Sequence, residues 1–246
     1  KESTYAMFTQ LLHYVQVAIL PDNTIFNSYF QESFALWNPK DIVGGDIYLM
    51  EALNENELLI MVIDCTGHGV PGAFVTMLVK AIERQIIANL YQGEIISPAK
   101  ILSIFNQSIK HMLKQESSDS VSNAGFDGAI LHYNKTEKLF RYAGANTPLF
   151  VMQNDQLKII KGDRYSIGYN SCDADYEFTN HEISLKNGGM IYLSTDGYLD
   201  QTGGDKGFPF GKNRFKRLLQ QLTEINMSAQ KEIFIQQLKQ YQDTRE

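Results

Sequence analysis

Three aspartates share one local setting, each at the edge of an apolar run and beside glycine. They are Asp46 in Val43-Gly44-Gly45-Asp46-Ile47-Tyr48, Asp64 in Val62-Ile63-Asp64-Cys65-Thr66-Gly67-His68-Gly69, and Asp196 in Tyr192-Leu193-Ser194-Thr195-Asp196-Gly197. An ionised carboxylate directly after a fully apolar strand is costly unless a cation compensates it. The glycines beside it let a ligand or a second backbone approach closely. Several such carboxylates gathered at strand ends, with no sulfur and no matched histidine, make a hard, oxygen-rich site suited to Mg²⁺ or Mn²⁺. Such ions serve phosphoryl chemistry. Taken singly, an Asp-Gly pair is more often a turn; the weight lies in the set.

Other chemistries lack parts. A cysteine phosphatase needs arginine six residues after its nucleophile, and Pro71 and Phe178 stand there after Cys65 and Cys172. Gly207 and Gly211 are one residue too close for a P-loop, and Asn213 follows Lys212 where a hydroxyl is needed. There is no Gly-x-Ser-x-Gly and no His-Glu-x-x-His, and the five histidines are scattered. Asp173-Ala174-Asp175 is followed by Tyr176-Glu177 rather than the apolar and hydroxyl residues of an aspartyl-phosphate motif, and reads as a solvated loop.

The chain has 246 residues, of which 43% are apolar, 20% charged and 11% aromatic, an ordinary globular composition that argues against disorder. Its length allows one large domain or two small ones. With 22 Lys and Arg against 28 Asp and Glu the net charge is −6, so there is no basic excess for nucleic acid or an anionic membrane. Nucleic acid is not expected as a partner. Two cysteines make no disulfide framework or zinc cluster, which points to a reducing, cytoplasmic compartment. The longest apolar run, Leu58 to Ile63, is far below the ~18 residues of a membrane span. The sequence opens at Lys1 inside a helical pattern with no leader, so a fragment of a longer protein is expected.

The elements that must position the aspartates follow from periodicity. Phe8, Leu11, Val15 and Ala18, with Leu12 and Ile19 beside them, form one face of a helix within residues 1–22 that Pro21 ends. Two heptads leave two readings open: a helix packed on its own domain, or a dimerising or signalling helix. Strands are expected over Phe34 to Trp37, Ile47 to Leu53 and Leu58 to Ile63, the last apolar on both faces and so buried between two layers. Val70 to Leu90 is helical, and a second helix starts with Ser97 as cap and Pro98 in its first turn. Gln115 to Asn123 reads as a polar linker or flap. Further strands are expected over Ala129 to Tyr133, Leu139 to Ala143, Leu149 to Met152, Leu157 to Ile160, Tyr176 to Ile183 and Met190 to Leu193. Helices over Arg214 to Leu222 and Gln230 to Tyr241 close the chain. Helices segregated from runs of strands favour α+β architecture with antiparallel sheets.

Gly-Gly-Asp-x-Tyr, Asp-x-x-Gly-His-Gly and Ser-Thr-Asp-Gly in this order resemble the metal-dependent PPM/PP2C protein phosphatases of the SpoIIE/RsbU branch. The likeness runs from about Gln16 to Tyr241. Trp37 to Asp46, Gly125 to Gly128 and Tyr165 to Tyr169 resemble the SiaA-like members. The resemblance implies an α-β-β-α sandwich, two antiparallel sheets flanked by helices, over residues 23–246, with two Mg²⁺ or Mn²⁺ ions at one edge. It implies that Asp64 bridges both metals, that the Cys65 carbonyl binds one and Asp196 the other, and that Asp46 acts directly or through a bound water. Asp64, Asp196 and His68 are then the catalytic candidates. His68 has two readings of equal weight, proton donor to the leaving alkoxide or holder of the turn. Lys40 reads as solvated more often than as a phosphate contact, Asp200 as a turn residue, and Asp127 as a loop carboxylate or a third metal ligand.

Two departures matter. Relatives close with an Asp-Asp-x-Thr strand, whereas this sequence stops at Asp243-Thr244-Arg245-Glu246, so the domain is expected to lack its last strand. Ala143-Gly144-Ala145-Asn146 stands where many relatives carry Ala-Gly-His, and no catalytic role is assigned to Asn146. The function implied is hydrolysis of phosphoserine or phosphothreonine on an anti-sigma-antagonist-like protein of a partner-switching pathway. The domain would be cytoplasmic, downstream of a membrane-anchored sensor, with a dimer through the N-terminal helix. The alternative is a non-catalytic module that keeps the fold and binds a partner in the same cleft.

Overall fold

Strand β2 (Glu57–Cys65) is apolar on both faces because it lies inside a sheet covered on both sides. The computed structural model describes residues 2–90, 96–116, 120–204 and 206–242, with the side chains of residues 2–5 excepted. In it, β2 pairs antiparallel with β1 (Asp46–Asn54) and β3 (Phe126–Asn134). Adding β4 (Leu139–Ala145) and β7 (His181–Ser184) gives a five-stranded sheet in the order β1-β2-β3-β4-β7. A second sheet runs β6-β5-β8, built from β5 (Leu149–Gln153), β6 (Gln156–Ile160) and β8 (Met190–Tyr192).

Side-chain alternation sorts the core into three layers. Leu58, Leu131, Tyr133, Phe140 and Tyr142 meet Leu149, Val151 and Ile160 between the sheets. On the other face of the first sheet, Leu59, Met61 and Ile63 pack under helices α2 (Gly69–Leu90) and α3 (Pro98–Met112). Phe150 and Met152 turn outward from the second sheet onto α5 (Gly211–Gln221) and α6 (Met227–Gln242). This is the α-β-β-α sandwich expected. Ser97 caps α3 as anticipated, its hydroxyl accepting from the Lys100 amide at 3.2 Å. A four-residue helix α4 (Asp196–Leu199) and a ribbon of β9 (Thr202–Gly203) and β10 (Phe208–Pro209) link the second sheet to α5.

Four segments differ from expectation. The first helix, α1 (Glu2–Ile19), does pack on the domain, but not through the anticipated stripe. Phe8, Leu11 and Val15 are exposed, whereas Thr9, Leu12 and Gln16 are buried against α2 and the loop before β1. Phe34 to Trp37 is not a strand: Phe34 packs on Phe234 of α6, and the Trp37 indole N–H donates to the Asp46 carbonyl at 2.8 Å. Residues 176–180 are irregular because side chains satisfy the backbone there. The Asp163 carboxylate accepts from the Thr179 amide and hydroxyl at 2.8 and 3.0 Å, and the Ser103 hydroxyl donates to the Tyr176 carbonyl at 3.0 Å. Gln115 is buried rather than part of a free linker, its amide bridging Ala124 and Gly168. Residues 117–119 of that loop and Asp243 to Glu246 lie outside the described residues.

The start of β1, the end of β2 and the first turn of α2 are pressed together at three glycines. A Cβ on Gly45 would stand 2.4 Å from the Gly67 carbonyl oxygen and 2.6 Å from that of Cys65; one on Gly72 would stand 2.4 Å from the Gly67 oxygen and 2.8 Å from the Gly45 Cα. No flexible side chain can yield there, since every facing atom is backbone. Gly72→Ala is therefore expected to cost about 1–3 kcal/mol and to lower the melting temperature by roughly 3–10 °C, measurable by calorimetry.

Candidate metal centre

Strand register brings the first two aspartates together. Asp46 is the cross-strand partner of Asp64, and Asp64 is in turn the partner of Asp127 on β3. Directly opposite residues share a face, so three carboxylates line one end of the sheet across adjacent strands. Asp196 arrives from the other sheet: the chain leaves β8, turns through Ser194 and Thr195, and starts α4 at Asp196. The Thr195 hydroxyl donates to Asp46 Oδ2 at 2.8 Å, which ties the two strand ends to each other.

Asp64 is the hub. Its carboxyl hydrogen-bonds to those of Asp46 and Asp196, and its pKa is pushed up to about 9, first by burial and then by the Asp46 and Asp196 charges. A proton has to be shared where no cation is near. Among the described residues, none of the three aspartates has a Lys, Arg or His ion-pair partner, and no three His, Cys, Asp or Glu side chains already surround one cation position. The donor set is nevertheless what a hard divalent cation selects: carboxylate and carbonyl oxygens, half-buried, with excess negative charge. The residues fit Mg²⁺ or Mn²⁺.

Cys65 fits through its backbone only. Burial and the Asp64 and Asp46 charges hold its thiol well above the usual range, so it stays protonated. Its carbonyl lies against the Cα of Gly45, a position open only because that residue has no side chain.

His68 lies in the turn between β2 and α2, three-quarters exposed, with its Nδ1 3.2 Å from Asp41 Oδ2. Asp41 was not singled out in the sequence, because a lone acid in a polar stretch gives no signal without its partner. Asp127 accepts from the Asn146 side-chain amide at 3.1 Å, and that amide also donates to Ser166 at 2.9 Å. Asn146 thus serves Asp127 rather than the reacting end. Asp200 caps α4, its backbone N–H donating to the Asp196 carbonyl at 2.7 Å, as its turn reading implies.

The folded, metal-free protein holds a proton at Asp64 that the unfolded chain releases near pH 4. Stability from this group is therefore present below the unfolded pKa and drains away as pH rises toward about 9, by at most about 1.4 kcal/mol per pH unit. Metal-free Asp64→Asn should melt higher than wild type by a margin that widens between pH 5 and 8. The same variant should lose the rise in melting temperature that Mn²⁺ gives wild type.

Comparisons with known proteins give the family and the fold. Residues 54–246 match the family model described as Stage II sporulation protein E (SpoIIE). The chain is 26% identical over 187 residues to the phosphoserine phosphatase RsbP of Bacillus subtilis, covering 75% of this chain but only 42% of that protein. Among solved structures, the SiaA-PP2C domain of Pseudomonas aeruginosa is 32% identical, with a TM-score of 0.86 over 99% of this chain and 93% of that one. The PP2C phosphatase domain of SpoIIE from Bacillus subtilis shares the fold at 18% identity, with a TM-score of 0.59 over 82% of this chain and 55% of that one. The chain belongs to the SpoIIE family, on the PP2C fold.

Proposed function

We propose that this domain is a metal-dependent serine/threonine protein phosphatase, with Asp46, Asp64, Asp196 and the Cys65 carbonyl holding two Mg²⁺ or Mn²⁺ ions. The observation that carries the reading is the convergence of Asp46, Asp64 and Asp196 from three distant segments onto one half-buried point. Bound there, the cations supply Lewis acidity, which acidifies water and offsets charge on the phosphoryl oxygens. Asp64 is central among the carboxylates and is the bridging candidate; Asp46 and Asp196 approach it from opposite sheets. Water oxygen bonds to phosphorus as the P–O(Ser) bond breaks, and a proton must reach the departing alkoxide. We assign that proton to His68, whose ring Asp41 orients through Nδ1, leaving Nε2 for the leaving group. Products are the serine hydroxyl and inorganic phosphate.

The substrate we assign is a phosphoprotein of a bacterial partner-switching pathway. The RsbP relative, a phosphoserine phosphatase, supports that class. The exposed stripe of Phe8, Leu11 and Val15 on α1 supports pairing with a second copy, through a helix leading to a sensor.

Phosphate release from a phosphoserine peptide with Mn²⁺ tests the function. Asp64→Ala and Asp196→Ala should each lower turnover at least about 100-fold, and His68→Ala about 100-fold or more. Metal-independent turnover surviving both aspartate substitutions would reject the reading, and wild type that neither binds Mn²⁺ nor turns over would make the domain a binding module.

A further inference from the structure

Positive charge is concentrated at one place on this acidic chain. Lys206, Lys212, Arg214, Lys216 and Arg217 follow one another closely, and no Asp or Glu occurs from residue 206 to residue 223. None of the five has an ion-pair partner among the described residues. Phe215, Leu218 and Leu219 turn one face of α5 into the core, which leaves Lys212, Arg214 and Arg217 exposed on the other. Arg214 and Arg217, one turn apart, open with Gln221 onto a groove of about 340 Å³ whose far wall is Gln237 and Gln240 of α6, with Leu218 on its floor. A second cavity of about 220 Å³, sharing Arg214 and Tyr241 with the first, reaches Lys206 and Phe208 beside the β9–β10 ribbon. Arg214 is held in place there. Its Nη1 donates to the Phe210 and Pro209 carbonyls at 3.0 and 3.3 Å, and its guanidinium carbon stands 5.1 Å from the centre of the Tyr241 ring. A guanidinium fixed in this way loses little freedom on taking up a carboxylate.

The groove is joined to the candidate metal centre through α4, the helix that starts at Asp196. Tyr198 of α4 packs edge-on against Phe210 and Phe215, at 5.3 and 5.6 Å between centroids, and the Phe210 amide donates to the Gln201 carbonyl at 2.9 Å. A phosphorylated segment is repelled by a chain of net charge −6, and the groove between α5 and α6 reverses that sign locally. Its shape selects the ligand further. Arginines and side-chain amides on concave walls offer ion pairs to carboxylates and hydrogen bonds to a peptide backbone, whereas a flat lipid surface does not reach a floor between two helices.

We propose that this groove is a docking site for an acidic stretch of the phosphoprotein substrate, apart from the phosphoserine itself. Arg214 and Arg217 pair with its Asp or Glu side chains, and Gln221, Gln237 and Gln240 hold its backbone. The inference rests on the phosphatase reading of the metal centre and names the class of substrate that centre receives. Docking raises the effective concentration of the phosphoserine at the metal centre, so it acts on KM and leaves the chemical step unchanged.

Two measurements test it. The first compares Mn²⁺-dependent turnover of a phosphoserine peptide with an Asp/Glu-rich flank against that of p-nitrophenyl phosphate, which is too small to span metal centre and groove. The second follows binding of the same peptide, fluorescently labelled and without its phosphate, by anisotropy, and needs no activity. Arg217 is exposed and its Nε reaches only the Asn213 carbonyl, at 3.4 Å, so its replacement leaves the fold intact. Arg217→Glu should raise KM for the acidic peptide and weaken labelled-peptide binding about three- to tenfold, with kcat and p-nitrophenyl phosphate turnover unchanged. Lys186→Glu makes the same change of net charge in an exposed loop outside the groove and should leave both readings at wild-type values. Equal effects of the two variants, or unchanged peptide binding in Arg217→Glu, would overturn the proposal. So would wild type that binds phosphatidylserine vesicles through Arg217 and ignores the peptide, which would make the groove a membrane contact. Wild type that turns over neither substrate would overturn the phosphatase reading instead, and the anisotropy would still decide whether the groove takes an acidic peptide.

Discussion

Two carboxylates facing each other across adjacent strands repel, and the pairing of Asp46 with Asp64 forces that encounter. The fold has no cheap escape. Moving either residue one place along its strand would turn every neighbour to the opposite face and take Ile47, Leu49, Met61 and Ile63 out of the helix-covered layer. The apolar pattern thus holds the aspartates together against their charge. Asp196 adds a third negative group to the same point, and the raised pKa of Asp64 is the local sign of this conflict.

What surrounds the aspartates is arranged to hold backbone rather than to neutralise charge. Thr195 ties Asp46 to the second sheet, Gly45 and Gly72 allow β1, β2 and α2 to meet at backbone contact, and Gln16 occupies the open hydrogen-bonding groups of Gly44. None of these supplies a positive charge. A scaffold that leaves its carboxylates uncompensated while fixing them in place spends stability to keep them preorganised.

Buried glutamines recur as clamps. Gln16 joins α1 to Gly44; Gln115 joins the end of α3 to Ala124 and Gly168; Gln230 of α6 donates to the Leu222 and Ile225 carbonyls and accepts from Tyr192. None of the three stands out in the sequence. Glutamine is mostly exposed in proteins, so its type carries no warning of burial, and its partners lie up to 60 residues away or are backbone atoms that sequence does not distinguish. The same blindness explains α1. Apolar spacing selected Phe8, Leu11 and Val15, while the domain took the face bearing Leu12 and Gln16, because the loop before β1 offered hydrogen-bonding groups there.

By itself the sequence determined the layers and the candidate site. The unbroken apolar run Leu58 to Ile63 required a strand covered on both faces, the 3.6-residue patterns required helices outside it, and glycine-flanked aspartates after apolar strands marked the candidate hard-cation site. Those signals are local, since they depend on residues close together in the chain. Tertiary structure alone decided which groups meet: Asp127 beside Asp64, Asp41 on His68, Thr195 on Asp46, and Gln16 on Gly44. Such pairs are fixed by strand register and by the packing of elements distant in sequence, and a single polar side chain bears no mark of the partner that register will bring to it.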